Sequence, residues 1–215
     1  MVNKVLVVAP HADDETFGCG GTIAKMTNQG IQVDLLLGSL GYDNNSLCVR
    51  DQELRQAIEI LGINNCRVIT QLGSERLQDM TPQYHLIDAI ENEVKKGYDV
   101  VFIPYPSHHQ DHIAIHQACL AALRPGTKQP NMILMYEYTY PTWVVPDQID
   151  GRLFIDITNT ITKKINAIEA YQSQLRGDDN PVSSRAATIM ATARGYSIGV
   201  PYAEMFYVIQ MKNIL

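Results

Sequence analysis

Apolar runs and helical spacings alternate along the first two thirds of the chain. Val5-Leu6-Val7-Val8 is an unbroken aliphatic run, as expected of a strand buried on both faces. Gly18 to Gln29 fits a helix closed by Gly30. Ile31 to Leu37 gives a second strand. Leu54, Ala57, Ile58 and Leu61 fall at i, i+3, i+4 and i+7 of a second helix, with Gly62 just past its end. Arg67 to Gln71 fits a third strand. Thr81-Pro82 supplies an N-cap and a first-turn proline for a third helix that runs to Gly97. Asp99 to Pro104 is a fourth strand, His112 to Arg124 a fourth helix and Met132 to Tyr138 a fifth strand.

This alternation predicts the α/β class: one domain over residues 1–215, built on a mostly parallel, doubly wound, Rossmann-like sheet flanked by helices. Towards the carboxyl terminus the pattern loosens. Residues 139–152 form an irregular aromatic and proline-rich stretch with Tyr140, Pro141, Trp143 and Pro146. Leu153 to Ile157 fits a strand. Ile161, Ile165, Ile168 and Leu175 line one face of a long helix, and a polar loop from Arg176 to Ser184 follows. A short helix and a terminal strand, Met205 to Gln210, complete the series. No repeat, linker or low-complexity tract interrupts it.

Composition narrows the function. With 46% apolar and 19% charged residues in 215, the chain can bury a sizeable core. No apolar run reaches the length of a membrane span, and the opening MVNKVLVVAP reads as a strand rather than a signal peptide. A net charge of −6 argues against nucleic acid as the partner. Cys19, Cys48, Cys66 and Cys119 form no CxxC pair, which favours a reducing cytoplasm over a disulfide framework. Six histidines are ordinary in number, but four of them fall between His108 and His116.

Two polar clusters stand directly after buried strands. Pro10-His11-Ala12-Asp13-Asp14-Glu15 follows the first, and Ser107-His108-His109-Gln110-Asp111-His112 follows the fourth. Three adjacent acids repel one another unless a cation neutralises them. A strand order of 3-2-1-4-5 places the two clusters side by side at the carboxyl ends, where ligands of open α/β sheets bind. Two histidines and a carboxylate leave an open coordination position, the set of a catalytic zinc, and they also suit ferrous iron.

With those residues in view, the chain resembles the PIG-L/LmbE-like family of zinc-dependent N-deacetylases. Its first cluster resembles the family's A-H-P-D-D-E, and His109-Gln110-Asp111-His112 resembles its H-P-D-H. Arg50-Asp51-Gln52-Glu53-Leu54, Tyr171-Gln172-Ser173-Gln174 and Tyr202-Ala203-Glu204-Met205-Phe206 match further segments, so the likeness spans almost the whole chain. Ala12 and Gln110 stand where the family has prolines. Gly38-Ser39-Leu40-Gly41 lacks the acid that many members carry before the glycine.

The resemblance implies that His11, Asp14 and His112 bind zinc and that Asp13 is the general base. It gives His109 the amide carbonyl or the leaving amine, Asp111 the orientation of His109, and Arg50 a substrate contact. The implied reaction removes an N-acetyl group from a small amino-sugar substrate. The rivals are amide hydrolysis of a non-sugar N-acyl compound and a non-catalytic sugar- or nucleotide-binding module. A homo-oligomer is compatible with the fold class.

Other residues read as structural. His116 fits a satisfied core or supporting position, and His108 points away from the metal. His85 is an ordinary helical residue, and Glu15 fits a capping or supporting role. Gly18, Gly20 and Gly21 begin like a dinucleotide fingerprint, but three acids precede them where a pyrophosphate would sit, so close backbone packing is the expectation. The Tyr136–Trp143 stretch suits either a sugar-stacking or an oligomer surface.

Overall fold

The structure is a computed structural model that describes residues 1–41, 47–70, 76–80, 83–139 and 151–212. Its elements in chain order are β1 (Lys4–Ala9), α1 (Asp14–Asn28), β2 (Gln32–Leu37), α2 (Leu47–Leu61), β3 (Asn65–Val68), α3 (Tyr84–Val94), β4 (Val100–Pro104), α4 (Gln110–Ala122), β5 (Met132–Tyr136), β6 (Arg152–Asp156), α5 (Ile161–Ala170), α6 (Ser184–Tyr196) and β7 (Ala203–Met211). A short 3₁₀ turn, Leu77–Asp79, precedes α3.

Seven strands make one sheet in the order β3-β2-β1-β4-β5-β7-β6. The first five pair in parallel. β7 runs antiparallel between β5 and β6, a departure that the loosening pattern near the carboxyl terminus did not reveal. The expected order 3-2-1-4-5 is therefore present, with an antiparallel extension on one side. Right-handed crossovers that reverse direction after β3 put α3 and α4 on the face opposite α1 and α2. α5 packs against α1 and α2.

Every residue from Val5 to Ala9 is fully buried, and Val100 to Ile103 nearly so. Burying one such aliphatic side chain stabilises the fold by about 1.5–3 kcal/mol, which fixes the two strands that carry the polar clusters.

Several boundaries move. α1 starts at Asp14 rather than Gly18, and α4 at Gln110 rather than His112, so both clusters form first turns of helices. Acids are favoured there because the helix amino terminus is electropositive. β3 lies at Asn65–Val68, two residues earlier than expected. α3 begins at Tyr84; its expected cap, Thr81-Pro82, lies outside the described residues, as does the stretch from Tyr140 to Asp150 with Trp143. α5 ends at Ala170, yet Leu175 still packs on the small cluster of Phe17, Ile168 and Ala187.

The glycines of α1 are packing residues. A Cβ on Gly18 would overlap the Tyr136 ring, and one on Gly21 would lie 2.6 Å from Ile157 Cδ1. Between them α1 is broken at Cys19, whose φ of −142° and ψ of 20° are not helical.

Candidate active site

The parallel pairing of β1 with β4 brings the two polar clusters together at the carboxyl ends of the strands. The chain leaves β1 through His11 and enters α1 at Asp14, and the residue between them is forced into an unusual shape. Asp13 has φ 126° and ψ −34°, the only non-glycine with positive φ among the described residues. Such a conformation costs about 1–3 kcal/mol and persists only where its surroundings impose it.

Those surroundings are a set of hydrogen bonds. The Asp13 amide donates to Glu15 Oε2 at 3.1 Å, and its carbonyl accepts from the amides of Thr16 and Phe17, both at 2.9 Å. Glu15 is fully buried and also accepts from Thr16 Oγ1 at 2.6 Å and from Tyr171 Oη at 2.8 Å. It thus supports its neighbour, as the sequence pattern leads one to expect. Burial raises the Glu15 carboxyl in spite of those bonds.

Asp14 Oδ2 lies 3.4 Å from His11 Nδ1 and 3.4 Å from His112 Nε2. Two donors bound to one tetrahedral zinc at ordinary lengths stand about 3.3 Å apart. The three side chains are therefore spaced as ligands of one cation, and all are buried. The far nitrogens are engaged elsewhere. His11 Nε2 is 2.8 Å from Asp111 Oδ2, and His112 Nδ1 is 2.8 Å from Ser107 Oγ. Partners of this kind hold ring and tautomer so that the other nitrogen faces the metal. His11, His109 and Asp111 also cluster, but the 2.8 Å contact between His11 and Asp111 is a hydrogen bond, too short for two ligands around a shared ion.

The carboxylate of Asp111 thus bonds His11, while Asp111 meets His109, the partner that the family resemblance implies, through its amide. Its other oxygen accepts from the Leu77 amide at 2.9 Å, which ties the 3₁₀ turn to the site. His109 is the N-cap of α4, its Nδ1 accepting from the Asp111 amide at 3.2 Å. Nδ1 as acceptor leaves Nε2 as the protonated nitrogen. Burial, with the charges of His112 and His11, lowers its pKa, so the ring is neutral near pH 7.

The acids of the first cluster are pushed apart. Burial and the Asp14 charge raise the Asp13 carboxyl to about 8, against a smaller opposing pull from Arg50. Burial also works on Asp14, but His112 and His11 hold it well below the usual carboxylate range. Burial disfavours the charged ring of His11, yet its bonds to Asp111 and Asp14 raise it to about 9. Neighbouring carboxyls with opposed shifts are the mark of divided roles in a catalytic site.

Arg50, 2% exposed, donates from Nε to the Leu40 carbonyl at 2.9 Å and from Nη2 to the Ala12 carbonyl at 2.8 Å. Nη1 stands 3.8 Å from Asp13 Oδ2 and has no hydrogen-bond partner among the described residues. Arg50 thus fastens the loops after β1 and β2 to each other while facing the pocket. Gly41 makes room for it: its φ is +82°, and a Cβ there would lie 2.7 Å from Arg50 Nη2.

A cavity of about 180 Å³ opens over these groups, its wall completed by Phe17, Tyr138, Thr139, Gln174 and Val182. The Tyr138 ring stacks on His112 at 4.6 Å between centroids. Sequence reasoning gave Tyr138 only the open choice between a sugar-stacking and an oligomer surface and assigned no role to Ser107 or Gln174; the available signals were the position of Ser107 within the second cluster and of Gln174 within the Tyr171 segment. His116 Nδ1 lies 2.9 Å from the Pro104 carbonyl, away from the cavity, and His108 is exposed.

Comparison with known proteins agrees with this geometry. The family model described as PIG-L, GlcNAc-PI de-N-acetylase, matches residues 6–123. A probable N-acetyl-α-D-glucosaminyl L-malate deacetylase 2 of Bacillus cereus is 28% identical over 191 residues, covering 81% of this chain and 84% of its own. The diacetylchitobiose deacetylase of Thermococcus kodakarensis is 25% identical over 229 residues, 94% of this chain and 82% of its own. The crystal structure of a conserved protein from Thermus thermophilus superposes with a TM-score of 0.79 at 25% identity, covering 100% of this chain and 98% of the other.

Proposed function

This chain belongs to the PIG-L family, and on that premise we propose that it is a zinc-dependent N-deacetylase, with His11, Asp14 and His112 as the ligands. Its substrate in this reading is an N-acetylated amino sugar or small glycoconjugate, the class named for its relatives. The observation that carries the reading is the strained Asp13 beside three ligands spaced for one cation. A zinc bound there would lower the pKa of its water from 15.7 to roughly 7 and polarise an amide carbonyl.

The chain's own residues supply the remainder. Asp13, its carboxyl raised, takes the proton of the attacking water. Positioned general-base help of this kind contributes about 10²–10⁴-fold. His109, neutral and protonated on Nε2, donates a hydrogen bond to the amide oxygen, and Asp13 passes the proton it took from the water to the departing amine. Asp111 and Ser107 hold His11 and His112 in the tautomers that leave Nδ1 and Nε2 free. Arg50 keeps Ala12 and Leu40 together and offers Nη1 to a substrate oxygen.

No described helix is long and apolar enough to cross a membrane. The four cysteines are unpaired, which supports a reducing cytoplasm, and in this reading residues 1–215 are a single deacetylase domain. The experiment is a panel of N-acetylated sugars, free and conjugated, and of N-acetylated amino acids, scored for acetate release with added zinc and with chelator. Chelator-sensitive release from the sugars is expected. Release from the amino acids alone would replace the substrate class, and no release from either would sink the reading.

A further inference from the structure

The break in α1 is filled by a buried ion pair. Lys164 on α5 and Glu204 on β7 are 3% and 5% exposed, and Lys164 Nζ lies 2.6 Å from Glu204 Oε1. The carboxylate also accepts from the amides of Gly21 at 2.9 Å and Thr22 at 2.7 Å, while Nζ donates to the Phe17 carbonyl at 2.7 Å. In an unbroken helix the Gly21 amide would face the Phe17 carbonyl. Here the anion takes the amide and the cation takes the carbonyl. The polarity is the one that both helix ends require.

The pair is two hydrogen bonds from the catalytic loop. Lys164 holds the Phe17 carbonyl, and the Phe17 amide closes on the carbonyl of Asp13. A continuous α1 would carry its own first turn along a fixed axis. The break frees that turn, and the pair fixes where it goes.

We propose that Lys164 and Glu204 are positioning residues for Asp13 and Asp14. They hold the short first segment of α1 at the angle that keeps Asp13 strained and Asp14 aimed between His11 and His112. The effect on turnover rests on the deacetylase reading; the effect on the loop does not.

The test is the double variant Lys164→Met/Glu204→Met, which leaves neither charge unpaired; apolar replacement of both partners commonly preserves folding. In the zinc-loaded protein, kcat should fall by about 10²-fold with KM within about twofold, since misplacement of about 1 Å costs that much. Zinc should bind about tenfold more weakly, the scale of losing a ligand's support. Hydrogen exchange at the Thr16 and Phe17 amides, read by NMR, should accelerate. A folded double variant with unchanged kcat, zinc affinity and exchange overturns the proposal. Should the double variant not fold, Glu204→Gln decides by the same exchange measurement, with unchanged exchange again overturning it. Zinc affinity and exchange need no substrate, so they stand even if wild-type protein releases no acetate.

Discussion

The parallel strands end in buried acids on both sides, and the two sets keep different company. At the amino ends, Asp34 accepts from Gln32, from Asn65 Nδ2 at 2.8 Å and lies 3.6 Å from Lys4 Nζ. The Tyr98 hydroxyl sits 2.9 Å from Asp34 and 2.9 Å from Glu93, which in turn holds Lys96 at 2.8 Å and Arg67 at 3.5 Å. Burial opposes ionisation of both acids, but these partners outweigh it and their pKa values fall. At the carboxyl ends, Asp13 keeps a raised pKa, a positive φ and an arginine 3.8 Å away. One end of the sheet settles its charges; the other leaves that of Asp13 unsettled. Burial of an acid alone therefore does not mark a site. An acid at the pocket wall that its neighbours leave unsettled does.

The contrast can be broken most sharply at Asp13. Asp13→Asn should lower kcat about 10²–10⁴-fold while bound zinc, measured by elemental analysis, stays the same. Near-normal turnover would remove the distinction between the two ends. At the other end, Asp34→Ala should leave kcat untouched but destabilise the fold by about 1–3 kcal/mol in urea unfolding, because Asn65 and Tyr98 lose a buried acceptor. A smaller effect of opposite sign is expected from Asp13→Gly, which relieves the positive φ and should stabilise by about 1 kcal/mol while turnover disappears.

The smallest effect is on pH dependence, best read as melting temperature of zinc-stripped protein. Asp34 has a folded pKa below its unfolded value, so its stabilisation is present above the ordinary carboxylate range and is lost as the pH falls through the lower folded value. Asp13 has a folded pKa raised to about 8, so it destabilises increasingly as the pH climbs from about 4 to about 8. Asp34→Ala should flatten the acid limb and Asp13→Asn the neutral one. Identical profiles for both variants would erase the comparison.

Much of this was legible in the sequence, and the limits have physical causes. β1 and β4 show because strands buried on both faces need unbroken aliphatic runs. The proposed ligand residues show because a histidine and adjacent acids follow one buried strand directly and a histidine cluster follows another. The starts of α1 and α4 do not show, because Asp14, Glu15, Gln110 and Asp111 are polar residues that helical periodicity scores as loop. The bond of the Asp111 carboxylate to His11 did not show, because the fold closes it at 2.8 Å across 100 residues, while the contact of the Asp111 amide with His109 is local. The roles of Tyr171, Ser173 and Glu204 were invisible for the same reason. Each is defined by a contact over more than a hundred residues: Tyr171 to Glu15, Ser173 to Glu53, Glu204 to Gly21.

That last set has a consequence in time. The proposed ligands and base lie within the first 112 residues, while the groups packed behind their loops arrive at Lys164, Tyr171, Ser173 and Glu204. A chain made from its amino end presents His11, Asp14 and His112 long before the anion that caps the second half of α1 exists. On the proposed ligand set and its bracing, the donors of the metal site are made before the groups that aim them, and β7 completes the arrangement.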